Sequence, residues 1–87
     1  MSQAKRELDA WNNLRSRLEN LACEVEAIEY DGDRDAYVSK EDTDAERHAY
    51  ARLTRMHRLG LIDFPLDEVK DLLEDVLDGA RMENYGV

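Results

Sequence analysis

Residues 29–42 read Glu29-Tyr-Asp-Gly-Asp-Arg-Asp-Ala-Tyr-Val-Ser-Lys-Glu-Asp42, and the reading of this stretch decides the fold. On either side of it apolar residues recur every three or four positions; within it that period stops. We read it as an acidic loop over 30–42 that joins two helices. The chain is then all-α, a small three-helix bundle with a long N-terminal helix. An alternative reading pairs Ile28–Tyr30 with Tyr37–Ser39 across a turn at Gly32, as a short hairpin.

Towards the N-terminus, Ala4, Trp11, Leu14, Leu18, Leu21, Val25 and Ile28 form one apolar stripe, and neither Pro nor Gly precedes Gly32. The spacing predicts a helix over about 2–29, capped by Ser2 and roughly 40 Å long. A rod of that length leaves Trp11, Leu14 and Leu18 free for self-association as a homodimer; the plainer reading packs the stripe on the chain's own helices. Towards the C-terminus, Thr43 and Glu46 have capping-box spacing and predict a second helix over about 44–59. Ala45, Ala49, Leu53, Met56 and Leu59 form its stripe, and Gly60 stops it. Pro65 suits the first turn of a third helix, about 65–79, on which Leu66, Val69, Leu72, Leu73, Val76, Leu77 and Ala80 make a broad apolar face. Gly79 is expected to weaken or end it, leaving a short tail over 81–87. All three stripes need cover, so residues 1–87 read as a single helical domain.

Composition narrows the function classes. The 87 residues carry 12 Lys and Arg against 21 Asp and Glu, a net charge of −9, and 43% of them are hydrophobic. That is too apolar for a disordered chain. No stretch approaches the ~18 apolar residues of a membrane span, and Met1–Lys5 lacks the apolar core of a signal peptide. The single cysteine, Cys23, excludes an intramolecular disulfide framework and points to a reducing, cytoplasmic setting. A chain this short buries only about 60–65% of its extended surface, which leaves little room for an enclosed active site. His48 and His57 are not at the i, i+4 spacing that clasps zinc. Ser2, Ser16 and Ser39 lack a nucleophile elbow, and the four glycines form no phosphate-binding loop. We expect no enzyme.

Charge is distributed unevenly: −2 over residues 1–30, −4 over 31–44, +3 over 45–62 and −6 over 63–87. On the third helix Asp67, Glu68, Asp71, Glu74, Asp75 and Asp78 fall within an arc of about 120°, opposite the apolar face. That face is the expected binding surface for a protein partner with a basic surface. Its charges recur every ~3.3 Å of helix axis, near the ~3.4 Å spacing of phosphates along one DNA strand. The runner-up function is therefore a nucleic-acid-mimicking inhibitor of a DNA- or RNA-binding protein. On the second helix Arg47, His48, Arg55 and Arg58 share an arc, with Arg52 at its border, and are expected to pair with carboxylates inside the bundle. The net charge argues against direct nucleic-acid binding. A nine-to-three excess of arginine over lysine, with many acids, is similar to the composition of haloarchaeal proteins and explains the acidity without a partner.

Two family resemblances can be placed on residues. Asp31–Asp42 resembles an EF-hand calcium loop, with Asp31, Asp33 and Asp35 at loop positions 1, 3 and 5, the Tyr37 carbonyl at 7 and Ser39 at 9. It departs from the pattern with Ala36 at position 6, where Gly makes the sharp turn, with Asp42 in place of the bidentate Glu, and with no second loop. The resemblance implies a divalent-cation sensor, calcium being the one cofactor to consider. Leu53–Leu73 resembles the helix pair that follows the wing in MerR-type regulators, over about a quarter of the chain. A two-residue insertion interrupts it and no DNA-reading helix-turn-helix precedes it, so no function is carried over. The reading that integrates these features is a non-enzymatic interaction module acting through protein–protein contact.

Overall fold

The computed structural model describes residues 3–85, and side chains from residue 7 to residue 85. Three helices, α1 (Gln3–Glu24), α2 (Thr43–Arg58) and α3 (Leu66–Tyr85), accompany a two-stranded antiparallel sheet of β1 (Ile28–Asp31) and β2 (Ala36–Ser39), which packs against α3 and α1. The chain is therefore not an all-α bundle. The stretch expected to be an acidic loop over 30–42 is largely a hairpin, in the alternative register, with Ile28 opposite Ser39 and Tyr30 opposite Tyr37.

The first helix stops five residues short of the expected 29 and is about 33 Å long. Its end is a Schellman turn: Glu26 N–H donates to the Cys23 carbonyl at 3.0 Å and Ala27 N–H to the Ala22 carbonyl at 2.8 Å. The left-handed residue this turn requires is Glu26, at φ 64°, in place of the usual glycine. α2 ends by the same device with Gly60 at φ 77°, its N–H on the His57 carbonyl and Leu61 N–H on that of Met56, both at 3.0 Å. Ser2, the expected cap of α1, lies outside the described residues.

The cap of α2 is Asp42, whose side chain accepts from Ala45 N–H at 3.1 Å, and not the expected Thr43. Glu46 is drawn elsewhere, to Arg81 on α3 at 2.5 Å. α3 starts beyond Pro65, whose carbonyl accepts from Val69 N–H at 3.1 Å. It runs through Gly79 to Tyr85, so residues 81–85, expected as tail, are helical.

One core unites the elements: Leu14, Leu18, Leu21 and Ala22 from α1, Ile28 from β1, Ala45, Ala49 and Leu53 from α2, and the Val69-to-Ala80 stripe of α3. Full burial of each Leu or Val contributes about 1.5–3 kcal/mol. The molecule measures 38 × 29 × 17 Å. Its 17 Å thickness gives each helix one face on the core and one on solvent.

Candidate functional site

The outward face of α3 follows from its sequence. Leu72, Leu73, Val76 and Leu77 are buried, so the opposite arc faces water, and Asp67, Glu68, Asp71, Glu74, Asp75 and Asp78 are all exposed. The structure brings these six predicted residues onto one ridge. Only Asp78 has a cation partner within 4 Å among the described residues, namely Arg81. Past Asp78, Met82 and Tyr85 continue the same arc at 72% and 80% exposure. Sequence reasoning missed this aromatic and thioether tip because it ended the helix at Gly79.

Glu74, Asp78 and Arg81 also set the field at Tyr50 on α2. Its hydroxyl pKa is raised above the ordinary 10.0 first by burial and then by Glu74, while Arg81 opposes the rise. The Arg81 guanidinium is pushed further up, chiefly by its hydrogen bond to Glu46.

The proposed self-association residues lie elsewhere. Leu14 and Leu18 are 3% and 0% exposed, inside the single chain's core, and offer no seam to a second copy. Trp11 is half-buried and meets Phe64 edge to face, with centroids 5.1 Å apart. It pins the segment before α3, which Arg17 also holds by donating to the Leu61 carbonyl at 3.2 Å.

The hairpin turn occupies the predicted cation loop. Asp31 Oδ1 accepts from Asp33 N–H at 3.0 Å, an Asx turn, and Asp31 pairs with Arg34 at 3.6 Å. Asp35 accepts from the Tyr30 hydroxyl and adopts the left-handed conformation at φ 54°. Ala36, placed at the sharp-turn position of an EF-hand, is a strand residue. Strands flank this loop where an EF-hand has helices, and among the described residues no three His, Cys, Asp or Glu side chains converge on a metal position.

Of the α2 arginines only Arg52, among the described residues, pairs across the bundle as expected. Arg52 reaches Glu24 at 3.1 Å and Arg47 its own-helix Asp44 at 3.8 Å. Arg55 and Arg58 have no carboxylate within 4 Å among the described residues, because their arc lies opposite the buried Ala45–Ala49–Leu53 stripe. Cys23 is half-buried, and its thiol pKa is raised first by burial and then by Glu19, which disfavours the reactive thiolate.

Between the hairpin, α1 and α3 lies a groove of about 360 Å³. Tyr30 and Tyr37 form part of its lining and meet edge to face at 5.6 Å. Their contact follows from register: Lys40 N–H bonds the Ala27 carbonyl, and alternation then makes 30/37 a non-hydrogen-bonded pair, where side chains come closest.

No helix among the described residues is long and apolar enough to cross a membrane. Compared with known proteins, the chain matches no family model, no curated protein and no solved structure.

Proposed function

We propose that this protein is a non-catalytic interaction module of the reducing cytoplasm that docks a basic protein partner on the outward face of α3. One observation carries the reading: six exposed carboxylates share one arc of a single helix, and five have no cation within 4 Å among the described residues. Packed side by side, like charges destabilise the free protein, and a cationic surface relieves that repulsion. Met82 and Tyr85 at the end of the ridge add the apolar contact that charge alone does not supply.

Capture from a host lysate with the triple variant Asp67→Asn/Asp71→Asn/Asp75→Asn beside the unaltered chain tests the reading. A basic protein should be retained by the unaltered chain at ~0.1 M salt, released as screening shortens towards 1 M, and lost from the variant. Retention of the same proteins by the variant would defeat the proposal. The spacing of the six charges, about 3.3 Å of axis each, supports a second reading in which the partner is a nucleic-acid-binding protein and the ridge imitates a phosphate strand. Oligonucleotide then displaces the captured partner.

A further inference from the structure

We propose that the groove between the hairpin and α3 receives an arginine side chain of the partner, an inference that rests on the basic-partner reading of the α3 ridge and names the contact that gives it specificity. The site is a cavity with aromatic and acidic lining, within the ~300–1,000 Å³ range of built binding sites. Tyr30, 54% exposed, and Tyr37 supply two rings at 75° to each other. Among the described residues that line the groove Glu19, Asp35 and Glu83 are acidic and Arg15 is the one cation, with Arg34 held at the rim on the Glu83 carbonyl. A guanidinium suits that combination: it is planar, stacks on aromatic faces, and offers five N–H donors to carboxylates. An ammonium carries the charge without the plane, and an anion is opposed by three carboxylates. The field already runs this way. The Tyr30 hydroxyl pKa is raised first by its hydrogen bond to Asp35, and that of Tyr37 first by burial and then by Glu19.

Gly79 is the independent observation. It stands inside α3, where glycine destabilises a helix relative to alanine, and it does not adopt a positive φ. A Cβ built on it meets no heavy atom within 4 Å, so the fold itself has no need of a glycine there. Gly79 lines the groove, and a methyl group would narrow it. A bare backbone at this point serves an incoming group. Asp75 lies one helical turn away, so a partner seated on the ridge reaches the groove with one side chain.

Proton–nitrogen NMR of the full chain, titrated with a capped Gly-Gly-Arg-Gly-Gly peptide and its lysine and norleucine counterparts, tests this. Arginine should shift the amides of Tyr30, Tyr37, Gly79 and Glu83, lysine should do so more weakly, and norleucine not at all. Tyr30→Ala, at an exposed position, should weaken arginine binding about 2–5-fold. Gly79→Ala should melt at a higher temperature and bind less. Equal shifts with norleucine, or a Gly79→Ala protein that binds as before, would overturn the proposal. Shifts confined to Asp67–Asp75 would also overturn it while leaving the ridge as a docking face. Groove shifts with an undisturbed ridge, the pattern expected of a peptide carrying one arginine, would uphold the groove, and the lysate capture with the ridge variant then decides the ridge separately.

Discussion

Glu26 and Gly60 perform the same task with unequal means. Both are the left-handed residue of a Schellman turn, at φ 64° and 77°. For Gly60 the conformation is free of Cβ conflict; for Glu26 it costs roughly 1–2 kcal/mol. Replacing Glu26 with Gly relieves that strain and adds backbone freedom to the unfolded chain, for a net gain of about 0.5–1 kcal/mol. Denaturant unfolding should show a higher midpoint with an unchanged slope; a lower midpoint would mean that the Glu26 side chain has a stabilising role the structure does not reveal. The same pair explains what could be read from the residues. The α2 stop was legible because Gly60 carries it. The α1 stop was not, because a glutamate carries it and nothing local distinguishes Glu26 from its helical neighbours. Asp42 displaced Thr43 as cap for a related reason: Glu46, which made Thr43 attractive, is engaged by Arg81, 35 residues away in sequence.

At the scale of elements, the hairpin depends on the last turn of α3. Ser39 sits at a non-hydrogen-bonded ladder position, so its backbone N–H and C=O turn away from β1. Asn84 meets both: its Oδ1 accepts from Ser39 N–H at 2.9 Å and its Nδ2 donates to the Ser39 carbonyl at 3.0 Å. One side-chain amide thus acts as a third strand. Arg34 donates to the Glu83 carbonyl, and Tyr85 to Glu41 at 3.3 Å, from the same turn. Ser39 is only 8% exposed, so Asn84→Ala leaves two nearly buried polar groups without partners and should cost about 1–3 kcal/mol. Tyr85→Phe, which removes an exposed contact, should stay within about 0.5 kcal/mol in the same unfolding experiment. Equal losses in the two variants would contradict this assignment. Periodicity revealed the buried stripes of all three helices and the acidic ridge, since those are properties of single elements. It could not reveal that Gly79 is passed over, or choose the hairpin over the loop for Asp31, Asp33 and Asp35, because the contacts between β2 and the last turn of α3 join residues some 45 positions apart.

At the scale of the whole molecule, charge is sorted by face: carboxylates line the outside of α3 and arginines the outside of α2, on a body 17 Å thick. Alkaline titration probes the tyrosines set within that field. Tyr37 and Tyr50 both have folded-state pKa values raised above 10.0, mainly by burial. Below about pH 10 their contribution to stability is intact; as pH rises through the folded values the unfolded chain ionises first and stability is lost. Unfolding midpoints measured between about pH 8 and 11 should fall above 10, and less steeply in Tyr50→Phe. An identical fall in that variant would exclude Tyr50 as a source. The Asn84 bridge also bears on the order of events at birth. The ribosome releases Ser39 some 45 residues before the amide that will satisfy it. A lone pair of strands is at best marginal in water. The nascent hairpin therefore waits, solvated and open, and its amides should gain protection from deuterium only when the final helical turn emerges.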